Sequence, residues 1–189
     1  MITKRFLDKL NETITIKGQS LIIELFITFS RFECSLKASD FYNVNNGKVT
    51  ANWDKFVASI RDEFNNERTN EIKNAVDYLI QHPPRVQAID DTRLVWNDRI
   101  FNKNEPLVNK LCLSIRDVRN NLFHGGKFQG NYQEDVSRNY KLLNSSIIVL
   151  NEWLRLDDIV KDNFLQPIQK KYRKIQAGNN KYSAFGRKC

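Results

Sequence analysis

Cysteine is scarce in this chain and badly placed for cross-linking. Its three copies, Cys34, Cys112 and Cys189, are odd in number, far apart and form no C-x-x-C pair. Neither a disulfide framework nor a zinc site is indicated. Cys34 and Cys112 fall within apolar helical patterns and read as small buried residues. Histidine is scarcer still: His82 and His124 are the only two, which excludes most histidine-based metal sites. Seven glycines and four prolines are too few for a turn-rich β fold and favour long regular elements. No apolar run reaches transmembrane length, and the opening MITKRFLDKLNETITIKG is too polar for a signal peptide. The expected setting is a reducing cytoplasm, with no membrane partner.

What is present fits a soluble globular protein. The 189 residues are 41% hydrophobic and 28% charged, enough for one domain with a real core and an appended tail. The net charge of +8 is unevenly spread. From Lys161 onward eight basic residues face one acid, Asp162, so that segment carries +7 and the rest is near neutral. Such asymmetry suggests a polyanionic partner. Phe164, Tyr172, Tyr182 and Phe185 lie among those cations, a mixture suited to base stacking and phosphate contacts, or to a solvated amphipathic helix.

Hydrophobic spacing predicts helices over most of the chain. Leu21, Leu25, Phe29, Phe32 and Leu36 recur at threes and fours, and Ile22, Ile23, Phe26 and Ile27 widen that face, as in a helix covered on more than one side. Ser39-Asp40 opens a loop through NVNNGKV. Asn52 or Asp54 caps a helix carrying Trp53, Phe56, Val57, Ile60 and Phe64. A further helix displays Ile72, Ala75, Val76 and Leu79 and stops at HPP, 82–84. Residues 85–103 show no helical stripe, and DDT between two short apolar stretches can form a hairpin turn. Glu105-Pro106 opens the next helix, with Leu107, Leu111, Ile115, Val118 and Leu122 as its stripe and Gly125-Gly126 as its stop. Val136, Tyr140, Leu143, Ile147, Leu150 and Leu154 form a heptad-like seam, suited to a helix neighbour or a subunit interface. A last helix starts near Asp157 and is interrupted at Pro167. The expected fold class is all-α: a helical bundle over 1–160, an irregular insertion at about 85–103, and a basic C-terminal helix or tail over 161–189.

The stretch with chemical potential is IRDVRNNLFHGG, 115–126. Arg119, Asn120 and His124 share the last turns of one helix. At about 100° per residue, five positions place His124 about 140° around from Arg119, and the glycines that follow let the chain leave the helix there. A histidine before a glycine stop also suits a helix C-terminus, where its charge gains about 0.3–1 kcal/mol.

RNNLFHGGK resembles the signature of the HEPN superfamily, an arginine, then a polar residue, then a histidine a few positions on. FSRFECSLK, with Arg31 and Glu33, NWDKF at 52–56 and RDVRNNLFHGGKF at 116–128 are similar to segments of a branch of small HEPN proteins, so the likeness covers roughly residues 20–155. It implies a HEPN-like bundle and a metal-independent endoribonuclease needing no cofactor, acting on RNA such as tRNA or mRNA in a toxin or antiviral-defence role. Arg119, Asn120 and His124 are then the catalytic residues. The family implies a homodimer whose two motifs converge in one cleft, supplying the two histidines that acid–base catalysis needs. An antitoxin or sensor protein is a further candidate partner. Glu33 and Arg31 are polar positions in an apolar helix. Glu33 is a candidate to hold Arg119 or Arg116, and both equally suit the solvent-facing rim. Arg116 and Lys127 are candidate RNA-phosphate contacts. The competing reading is an inactive HEPN module that binds RNA, a nucleotide or a partner protein. DNA binding through the tail lacks a helix-turn-helix pattern.

Overall fold

In the computed structural model, residues 4, 5, 8, 14–123 and 136–166 are described. His124, the Gly125-Gly126 stop, Lys127, the interruption at Pro167 and the basic segment after Gln166 lie outside them.

Helix α1 (Ile16–Ala38) begins at Thr15, whose side chain accepts from the Gly18 N–H. Glycine is required at 18, because a Cβ there would run into the Tyr140 ring. The Tyr140 hydroxyl lies 2.8 Å from Thr15 Oγ1 and accepts the Thr15 N–H at 3.1 Å, which pins the start of α1. Leu25, Phe29, Phe32 and Leu36 turn inward as the spacing predicts. Ile23, Phe26 and Ile27 are instead 58%, 49% and 53% exposed.

The all-α expectation is overturned by two antiparallel hairpins. Strands β1 (Tyr42–Asn45) and β2 (Lys48–Ala51) pair with Asn45 opposite Lys48. Asn46 and Gly47 between them both have positive φ, 49° and 75°, the geometry of a two-residue hairpin turn that Asn-Gly favours. Strands β3 (Val86–Asp90) and β4 (Arg93–Asn97) pair across an Asp91-Thr92 turn, with Asp91 at φ 53°. The stretch read as irregular is therefore partly an ordered ribbon, reversing at the DDT site.

The remaining elements are α2 (Trp53–Ser59), α3 (Asn70–Gln81), α4 (Leu107–Phe123), α5 (Val136–Leu154) and α6 (Asp158–Leu165). The side chains of Asn52, Thr69 and Asp157 cap α2, α3 and α6. Helix α5 packs against both α1 and α3, and buries Leu142, Leu143, Ile147, Val149, Leu150 and Trp153, more than one seam. Its Glu152, 4% exposed, is held by both nitrogens of an Arg68 fork at 2.6 Å. Four aromatics lock α1, α2 and α5 together: Phe32 stacks on Trp53 at 5.1 Å and meets Phe56 edge-on at 5.2 Å, and Phe56 meets Trp153 at 6.2 Å. No helix of the described residues is long and apolar enough to cross a membrane.

Candidate functional site

Helix α4 buries Leu111, Ile115, Val118 and Leu122 along one stripe. That orientation leaves Arg116, Asp117, Arg119 and Asn120 at the helix margins, where they face α1, the ribbon or solvent. Asn120 is exposed and Arg119 half-buried. The two side chains are joined, Arg119 Nη1 donating to Asn120 Oδ1 at 3.0 Å. The guanidinium carbon lies 5.4 Å from the centroid of the Phe29 ring on α1, a cation–π arrangement. Phe29 is itself nearly fully buried and lies 5.1 Å from Trp53, so the ring beneath Arg119 is fixed by the core. A permanently charged planar fork is thus carried on a rigid platform, with donors suited to phosphate oxygens.

The ribbon supports this end of α4. Arg99, just after β4, is ion-paired with Asp117. Asn121 Nδ2 donates to the Arg85 carbonyl, just before β3, at 2.7 Å. Burial pushes the Asp117 carboxyl above the ordinary carboxylate range, outweighing the pull of Arg99 and Arg116. These supports escaped the sequence reading. Asp117 sits inside the quoted motif stretch, but its partner is 18 residues away and no periodicity marks it.

The other sequence-derived candidates divide between two places. Glu33 makes no ion pair with Arg119 or Arg116 among the described residues. Its Oε1 accepts the Trp53 indole N–H at 3.2 Å. Glu33 and Arg116 do share the lining of one cavity of about 300 Å³, together with Asp54 and Asn52. Arg31 points elsewhere. Its guanidinium donates to the carbonyls of Asn163, Phe164 and Gln166, at 3.2, 2.6 and 2.6 Å, and so satisfies the C-terminal carbonyls of α6. His124 follows α4 directly in sequence but, like Lys127, lies outside the described residues.

Neither cysteine in the described residues joins the motif. Burial pushes the Cys112 thiol up to about 12, which keeps it protonated and non-nucleophilic at neutral pH. Cys34 is exposed, contrary to its expected burial. His82 ends α3 against the Tyr78 ring, 4.9 Å between centroids. No group of three His, Cys, Asp or Glu side chains able to hold a metal ion occurs among the described residues. No family model, curated protein or solved structure matches the chain.

Proposed function

We propose that this protein is a metal-independent endoribonuclease of the HEPN type, cutting RNA in a toxin or antiviral-defence role as a homodimer. One observation carries the reading most: the Arg119 fork, tied to Asn120 and seated on Phe29, at the end of the helix whose sequence runs on to His124.

RNA supplies its own nucleophile, the 2′-hydroxyl beside the scissile phosphate. His124 of one protomer takes the proton from that hydroxyl as the 2′-oxygen attacks phosphorus. His124 of the other gives a proton to the departing 5′-oxygen as its bond to phosphorus breaks. Arg119 stabilises the charge that gathers on the non-bridging oxygens, and Asn120 holds that guanidinium in place. The products are a 2′,3′-cyclic phosphate and a 5′-hydroxyl. The protein needs no cofactor in this scheme. A single histidine per chain makes the dimer a requirement for turnover.

The alternative reading, an inactive module that binds RNA, a nucleotide or a partner protein, draws on the same contact: a guanidinium already occupied by Phe29 and Asn120 can be structural. Incubation of single-stranded RNA in EDTA with wild type, His124→Ala and Arg119→Ala separates the two. Cutting by wild type alone supports the enzyme. RNA that survives the wild type, or decays equally in all three samples, removes it.

A further inference from the structure

The cavity beside the motif has an unusual lining. Glu33 comes from α1, Asn43 from β1, Asn52 and Asp54 from the start of α2, and Arg116 from α4. Asn52 is committed on both sides of its amide, its oxygen accepting the Lys55 N–H at 2.9 Å and its nitrogen donating to Asn43 Oδ1 at 2.7 Å. The wall also carries two acidic side chains and one basic one: Glu33, whose Oε1 accepts the Trp53 indole N–H at 3.2 Å, and the exposed Asp54 and Arg116. None of them enters an ion pair among the described residues. The volume stands at the small end of the range for ligand sites, about 300–1,000 Å³.

The position is equally informative. Arg116 and Arg119 lie three residues apart on α4, about 4.5 Å along its axis. Trp53, which lines the cavity, packs on the same Phe29 ring that carries Arg119. The cavity and the phosphate-binding fork are therefore neighbours on one rigid wall.

The geometry points to a nucleobase pocket selecting guanine next to the phosphate held by Arg119, an assignment that rests on the RNA reading above. Ionised carboxylates only accept hydrogen bonds. Among the four RNA bases, guanine alone offers two adjacent donors on its Watson–Crick edge, N1–H and the 2-amino group. Adenine and cytosine set a ring acceptor beside their amino group, and uracil flanks its one donor with two carbonyls. Arg116 complements the opposite edge of guanine, where O6 and N7 accept a guanidinium fork. Arg116 also disfavours a cationic occupant, such as an arginine side chain of a protein partner.

Equilibrium dialysis of the full chain with GMP, IMP and AMP tests the assignment without relying on cleavage. The expected order is GMP over IMP over AMP, with GMP at least about tenfold tighter than AMP, since hydrogen bonds to charged acceptors are lost stepwise. Glu33→Gln keeps an acceptor for the Trp53 N–H and erases the preference. Asp54→Asn, at an exposed position, weakens it and serves if the first variant does not fold. Equal binding of GMP and AMP by the wild type overturns the pocket, as does stronger competition by arginine amide than by GMP. Single-stranded RNA carrying one guanine, inosine or adenine gives the second arm. Cutting without base preference retains the nuclease and removes the pocket. GMP preference without any cutting retains the pocket and removes the nuclease.

Discussion

Arg119 on α4 rests its guanidinium 5.4 Å above the centroid of the Phe29 ring on α1. Through Phe29 and Trp53 that guanidinium is packed onto the aromatic core. Positioning of this kind matters for a group meant to meet a phosphate at one place, because a misplaced charge stabilises a transition state poorly.

Phe29→Leu tests that platform. A ring face is worth about 0.5–2 kcal/mol to a cation, so RNA cleavage per folded molecule is expected to fall by about twofold to thirtyfold. Arg119→Lys keeps the charge but loses the planar fork, and recovers only part of the loss seen with Arg119→Ala. Cleavage rates corrected for the folded fraction by circular dichroism check both. Wild-type rates in Phe29→Leu would show that the contact only packs.

Arg31 is expected to act on α6 and not on the chemistry. Arg31→Ala leaves the carbonyls of Asn163, Phe164 and Gln166 without their donor, so amide exchange in Asp158–Leu165 should accelerate about tenfold or more. Cleavage per folded molecule should not change. Exchange mass spectrometry paired with the cleavage assay reads the two separately, and a loss of cleavage with unchanged exchange contradicts the assignment.

How far the sequence revealed this depends on what kind of contact each residue makes. Helices such as α1 were legible because Leu25, Phe29, Phe32 and Leu36 repeat at helical spacing and meet a common core. The first hairpin carried a readable mark, Asn46-Gly47, but its flanks YNVN and KVTA are exposed strands with too few apolar residues to show an alternation. Arg31 was not legible, since its partners are main-chain carbonyls more than 130 residues away. Arg68 and Glu152 likewise sit 84 residues apart, and composition alone leaves each looking like a solvated surface charge. Within the motif, the adjacency of Arg119 and Asn120 was visible, whereas the Phe29 platform and the Arg99–Asp117 support are tertiary.

Asp117 makes the pH dependence specific. Its folded carboxyl is raised above the ordinary value by burial, so between about pH 4, the unfolded value, and that raised value the folded chain binds more protons than the unfolded one. This group's contribution to stability therefore falls as pH rises through that window and levels off above it. Urea melts of wild type and Asp117→Asn from pH 4 to 7 should show the wild type losing ground to the variant across the window. A wild type that gains ground there contradicts the direction.

Gly18 tests the junction of α1 with α5. Alanine at 18 drives Tyr140 from its place and breaks the hydrogen bonds to Thr15, an overpacking expected to cost about 1–3 kcal/mol. In a Tyr140→Ala background the same change should cost much less, since alanine then brings only its better helix propensity. Denaturant midpoints of the four proteins complete the cycle, and additive effects would exclude the steric account.

The most direct measurement is mass spectrometry of the fragment ends that the wild-type protein produces from single-stranded RNA in EDTA, beside His124→Ala and a substrate with one 2′-deoxy residue. The account predicts 2′,3′-cyclic phosphate and 5′-hydroxyl ends, no cut at the deoxy position and none by the variant. Ends bearing 5′-phosphate and 3′-hydroxyl, or identical fragments from His124→Ala, would contradict it.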